Sequence, residues 1–414
     1  MNTTPQSFEI PLGEQKLQTK FPADTIELSI HEPVQVMDET LFCSRLNSFL
    51  EEHPLDLSQP TIVVTDKTRL CGYPRYLPLL IEILLNHGMQ PDRLRFIIAY
   101  GTHPRQSNEE SKKLYGQPFD KFTFIHHNCH DRDLFVELGV TSRGTPIRFR
   151  RDLMEASAVI TMGPIVHHYF AGYGGGRKLL FPGCGDRQAI YKNHGLYLDP
   201  LQKTLAPCCQ PGIVTNNPLA EDLFEIAAKK PADLAIHGIL DSHGEVINML
   251  FGNSWEVYEK GCTIHGRNCE LQSEDFDLVV ASAGGFPKDI NFIQSHKAIH
   301  NAAMFVKDGG QLIFYGECCD GIGSTTFLPW FEMGDYAKAF KKLSCNYEGN
   351  GGTALSMMTK LQRIRIGMVT ELDEKTCNLI GVQKLHHHEV EKLLAETRTK
   401  PAWIASGGLV VKKI

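Results

Sequence analysis

The side chains of this chain best suited to chemistry lie in the segment HHYFAGYGGGRKLLFPG, His167–Gly183. Gly172, Gly174, Gly175 and Gly176 permit close backbone approach to a ligand and leave N–H groups for a phosphate. Arg177 suits a phosphate clamp, and Lys178 is a candidate nucleophilic amine. The segment ends in neither G-K-[ST] nor G-x-G-x-x-G, so it is not a standard mononucleotide or dinucleotide loop. Sixteen residues beyond Lys178 stands His194, before Gly195. Alone it reads as a helix-terminal histidine; beside a phosphate loop it becomes a candidate metal ligand. Asp66-Lys67-Thr68-Arg69 suits an anion and a hydroxyl or ribose group, although by itself it reads as a turn with an exposed ion pair. Gly101-Thr102-His103 offers a further imidazole. Gln294, Ser295 and Lys297 sit where a helix begins, which suits a carboxylate as well as an ordinary cap.

Strands alternating with helices must position these groups. TIVVTD (61–66), RFIIAYGTH (95–103), Phe122–His126 and ASAVITMG (156–163) read as strands, with helices over 74–86, 106–115 and 186–194. Two more strands are expected at 232–240 and 245–251, after a helix at 219–229. A second alternation starts at DLVVAS (277–282) and continues through a helix at 293–306 and strands at 311–315 and 363–370. The expected fold class is α/β, with two domains, 1–270 and 271–414, mostly parallel sheets and an active-site cleft between the domains. The final segment is a candidate to pack back on the first domain. In such sheets ligands sit beyond the carboxyl ends of strands, where most of the candidate groups fall.

Composition narrows the function classes. The 414 residues carry 42 Lys+Arg and 48 Asp+Glu, a net charge of −6, which argues against nucleic acid as a partner. No apolar run is long enough for a membrane span, and the first twenty residues hold no secretory hydrophobic stretch. The 12 cysteines include no C-x-x-C and read as buried small hydrophobes in a reducing, cytoplasmic setting. The clusters His126/His127/His130 and His386/His387/His388 read as solvated loop or helix-start residues.

Taken together, D-K-T-R at 66–69, G-T-H at 101–103, H-x-F-A-G-x-x-G-G-R-K at 168–178, N-H at 193–194 and Q-S-x-K at 294–297 resemble the nickel-dependent lactate racemase family, over about residues 60–310. The resemblance implies an isomerase that racemises or epimerises a small 2-hydroxy acid. It implies the nickel pincer cofactor pyridinium-3,5-bisthiocarboxylic acid mononucleotide, covalently held by Lys178, with His194 as the metal ligand. By the same resemblance His103 and His168 are the acid/base pair. Asp66, Arg69, Gly174, Gly175, Gly176 and Arg177 fall on the cofactor side. Arg69, Gln294, Ser295 and Lys297 fall on the substrate side. Ile293 stands where lactate-specific members carry an aromatic hydroxyl, no motif places their pocket Trp (Trp330 is one possibility), and His167 is an additional histidine. A larger hydroxy acid, such as malate, an aryl-lactate or a sugar acid, therefore stays open as the substrate.

Two rival readings stand beside this one. A nickel-independent phosphate- or NAD-type enzyme would use Lys178 as a Schiff-base or phosphate lysine. A non-catalytic binder or cofactor carrier would be indifferent to loss of His103 and His168.

Overall fold

The computed structural model describes residues 4–414, and the chain divides into two compact units. One comprises Glu32–Leu196 and Cys208–Asn268; the other comprises the start of the chain to His31, Tyr197–Pro207 and Cys269–Ile414. Both are α/β.

The unit of Glu32–Leu196 and Cys208–Asn268 is built on a six-stranded sheet. Its order is Val246–Gly252, Leu234–Leu240, Val159–Pro164, Thr61–Thr65, Arg95–Ala99, Thr123–His126. All neighbours run parallel except the edge strand Val246–Gly252. Every residue of Thr61–Thr65 and of Val159–Pro164 is buried, as continuous apolar runs are when both faces of a parallel sheet are covered. The chain enters at Thr61–Thr65, adds strands to one side, then crosses to Val159–Pro164 on the other. The switch point for ligand binding thus lies between these two strands. Their carboxyl ends are locked together by Tyr73. Its hydroxyl donates to Met162 O (2.9 Å) and accepts from Thr65 N (2.9 Å), while the Tyr115 hydroxyl donates to Thr65 O (2.7 Å).

The other unit carries a six-stranded, all-parallel sheet. Its order is Gln383–Leu385, Arg365–Val369, Val306–Tyr315, Phe276–Ser282, Ala402–Ile404, Ile26–Glu27. Helix Phe292–Ala303 follows Phe276–Ser282 and buries Phe292, Ala298, Ile299 and Ala302 against the sheet core.

The alternation expected from the sequence is present, with several differences. Residues up to His31 do not join the first block: Ile26–Glu27 pairs with Ala402–Ile404, so the units are not the contiguous stretches 1–270 and 271–414. The hairpin Phe135–Val140/Pro146–Arg150 and the helix Trp255–Cys269 have no counterpart in the sequence reading. His127 is not solvated; it is 5% exposed and bonded to Gly185 O (3.0 Å), and burial beside Arg150 holds its pKa down at about 4. His386 does cap a helix, His387–Glu396, as read. Cys71, Cys129, Cys184 and Cys377 are buried small apolar groups.

Candidate active site

Asp66 follows Thr65 at the end of the first strand and is 5% exposed. Its Oδ1 accepts from Thr68 N (2.9 Å) and Thr68 Oγ1 (2.6 Å), which closes the turn. Its Oδ2 lies 2.7 Å from His103 Nδ1. Burial alone would raise the carboxyl pKa. The hydrogen bond and charge of His103, with the two Thr68 bonds, outweigh it and hold the group down at about 2. Asp66 therefore fixes which His103 nitrogen faces outward, and His103 keeps a half-exposed ring at the strand mouth. The sequence reading gave Asp66 to the cofactor; its pairing with His103 was not legible there.

The glycine loop follows the strand Val159–Pro164 and folds back on it. His167–His168 pairs antiparallel with Gly172–Tyr173, a two-residue ladder. Gly175 has φ +78°, and a Cβ there would stand 2.4 Å from Pro164 O; at Gly176, with φ +51°, it would stand 2.6 Å from the Tyr258 ring. Both positions need glycine for close packing of the loop on its own unit. The Gly174 N–H is engaged by Val166 O (2.7 Å), so it is not a donor for phosphate.

Gly176 caps the short helix Arg177–Leu180. Arg177 is 8% exposed and stacks 3.8 Å from the Phe224 ring centroid, donating to the Tyr258 hydroxyl. Its Nε and Nη2 are buried without a hydrogen-bond partner. A buried guanidinium with two orphaned donors is suited to an anion, so this residue fits a phosphate-bearing group. Phe224 and Tyr258, which hold Arg177, come from two helices outside the loop and carry no signal in the loop sequence.

Lys178 is next in the chain. Burial, then the charges of Arg177 and Arg69, push its pKa well below the usual lysine value, which favours the neutral, nucleophilic amine. His194 ends the helix Arg187–His194, whose first turn is capped by Asp186. Burial, then the charges of Lys178 and His103, lower the His194 pKa to about 3. It is thus a neutral imidazole, the form that binds a metal. Its Nδ1 lies 3.2 Å from Asn193 Oδ1, and Asn193 is itself tied to Asp222 Oδ2 (2.9 Å). Phe170 makes edge contacts with both His168 (4.6 Å between centroids) and His194 (5.0 Å). Arg69 follows on the turn from Asp66 and donates to Thr68 O (2.9 Å).

The structure thus brings Asp66, Arg69, His103, His168, Lys178 and His194 to the carboxyl ends of the strands beside the switch point. An amine, a neutral imidazole and an anion-binding guanidinium fit a lysine-linked, metal-bearing nucleotide: Lys178 would hold it covalently, His194 would ligate the metal and Arg177 would meet the phosphate.

In the other unit, Asn291 caps the helix Phe292–Ala303 by accepting from Gln294 N (3.0 Å). Lys297 Nζ donates to Gln294 Oε1 (2.6 Å), so these two form a local pair. Ser295 is fully buried, with its hydroxyl 3.6 Å from Cys318 Sγ. Trp330, 4% exposed, is a core residue.

Two family profiles match the chain: the lactate racemase N-terminal domain over residues 6–204 and the lactate racemase C-terminal domain over residues 271–366. A lactate racemase of Thermoanaerobacterium thermosaccharolyticum is 27% identical over 339 residues, covering 79% of this chain and 78% of that protein. A lactate racemase of Lactiplantibacillus plantarum is 26% identical over 326 residues, covering 78% and 72%. Among solved structures, the lactate racemase apoprotein from Thermoanaerobacterium thermosaccharolyticum superposes with a TM-score of 0.88 at 23% identity, covering 99% of this chain and all of that one. A protein from Thermotoga maritima gives a TM-score of 0.70 at 17% identity, covering 92% and 99%.

Proposed function

This chain belongs to the lactate racemase family, and from that premise we propose that it racemises or epimerises a small 2-hydroxy acid through a planar 2-keto acid. The observation that carries the proposal is the company Lys178 keeps. It lies close enough to His194 for its charge to lower that imidazole's pKa, as does the charge of His103, and Phe170 touches both His194 and His168.

When bound, the nickel-pincer nucleotide supplies a hydride acceptor, which removes the need to abstract a weakly acidic α-proton. The chain's own residues do the rest. His103, oriented by Asp66, takes the hydroxyl proton from one face of the substrate and can return it. His168 does the same from the other face. An imidazole on each face meets the demand that the reaction run both ways. Arg69, on the turn from Asp66, supplies a cation for the substrate carboxylate while the keto acid turns over. Burial disfavours the charged forms of Lys178 and His194, which suits the covalent link and the metal. Among the described residues no helix is long and apolar enough to cross a membrane.

Two observations favour an acid other than lactate. Ile293 precedes Gln294 where an aromatic hydroxyl is expected of a lactate-specific member, and Trp330 is spent in the core of its unit.

A panel of single-enantiomer 2-hydroxy acids in deuterated water tests the proposal. Chiral analysis should show inversion of one member with the α-hydrogen retained. Deuterium appearing at the α-carbon would overturn hydride transfer, and no inversion of any member by the cofactor-loaded protein would overturn the racemase reading.

A further inference from the structure

Successive side chains on a strand point to opposite faces. His167 and His168 are successive residues of one short strand. His168 is in ring contact with Phe170, while His167 packs at a tilt against Tyr173 (4.7 Å between centroids) and against His265 (4.8 Å) of the helix Trp255–Cys269. His265 and Cys269, the last residue of that helix, are one turn apart and share its face. The ligand atoms of His167, His265 and Cys269 all lie within 4.8 Å of one another.

We propose that His167, His265 and Cys269 form a second metal site, for a zinc-like divalent ion, distinct from His194. Two imidazoles and one thiol, with no carboxylate among them, select a borderline ion such as Zn²⁺ over Mg²⁺ or Ca²⁺. A tetrahedral ion with ligand distances of roughly 2.0–2.3 Å needs donors about 3.3–3.8 Å apart. The observed spacing therefore closes on an ion with side-chain shifts of about an ångström. His265 and Cys269 are 5% and 2% exposed, so their donors are held away from bulk water. The partly exposed His167 leaves an entry path and a fourth position for water. Cys269 binds as the thiolate and gives its proton to solvent. An ion on this face ties the helix to the back of the strand whose front face presents His168. Only this positioning role rests on the racemase reading; the binding of the ion does not.

The test is made on the full chain purified from cells that do not make the nucleotide cofactor and then stripped with chelator. Zn²⁺ should bind at one equivalent, measured by elemental analysis after gel filtration. Co²⁺ should give a thiolate-to-metal charge-transfer band, with tetrahedral ligand-field absorption. That band should vanish in Cys269→Ser, fall in His167→Ala and persist in His194→Ala, each checked for folding by circular dichroism. If a substitution at Cys269 unfolds the chain, His265→Gln serves in its place. Absence of stoichiometric binding to the folded wild type overturns the site, as does a band that survives both Cys269→Ser and His167→Ala. Because none of these readouts is activity, a failed site and a failed racemase assignment are distinguishable.

Discussion

Replacing Asp66 by Asn would turn an amide N–H₂ toward His103 or toward Thr68, and either choice breaks one side of the arrangement. With the imidazole no longer held in one tautomer, kcat should fall by roughly 10²- to 10⁴-fold, the usual contribution of a well-placed acid/base group. Substrate KM should change little by comparison. The same carboxyl sets an acid limb of stability. Its folded pKa of about 2 lies below the unfolded value of about 3.9. Its contribution, of order 1–3 kcal/mol, is therefore complete above about pH 4 and is lost as pH falls toward 2. Denaturant titrations across that range should show the limb in the wild type and a flatter one in Asp66→Asn. The types of both residues were plain in the sequence. Their pairing was not, because it arises only when the strands Thr61–Thr65 and Arg95–Ala99 become neighbours. Arg177 teaches the converse: the loop sequence names a phosphate clamp, but two of its contacts, Phe224 and Tyr258, come from helices that no local pattern connects to it.

At the scale of elements, the glycine loop owes its shape to packing. Gly175→Ala should destabilise the protein by about 1–3 kcal/mol, since φ +78° and contact with the Pro164 carbonyl both resist a methyl group. The accompanying shift of Lys178 should be visible as slower covalent labelling of that amine by an aldehyde with reductant. Tyr73→Phe removes the hydroxyl that joins Met162 O to Thr65. It should cost about 1–3 kcal/mol in thermal or denaturant unfolding, the penalty of leaving a buried polar group unsatisfied. Strands such as Thr61–Thr65 were legible because a buried β-branched run has few alternatives. The helix Trp255–Cys269 was not, since Gly261 and Gly266 lower its propensity. The structure supplies a reason at one of them: a Cβ at Gly261 would meet Ile165 at 2.3 Å, so the glycine allows close helix packing.

At the scale of the whole molecule, two mostly parallel sheets follow from strand–helix alternation, but strand order does not, and the addition of Ile26–Glu27 to the sheet of Ala402–Ile404 joins positions far apart in sequence. One global consequence concerns Lys360, buried on the helix Gly351–Arg363 and donating to Ser356 O (2.9 Å) and Oγ (2.7 Å). Burial, then Arg363, lowers its pKa to about 7. As pH falls from about 10 to 7 the unfolded chain takes up a proton that the folded chain refuses, so folding loses stability over that window. Lys360→Met should therefore raise stability by about 1–3 kcal/mol at neutral pH, with the gain shrinking toward pH 10. The claim on which the functional account turns is that Lys178 carries the cofactor. Mass spectrometry of the intact protein and its peptides, purified from cells that synthesise the nucleotide, measures this directly. The account predicts a sulfur-containing adduct on Lys178 in active protein, absent together with activity in Lys178→Ala; fully active protein with an unmodified Lys178 would contradict it.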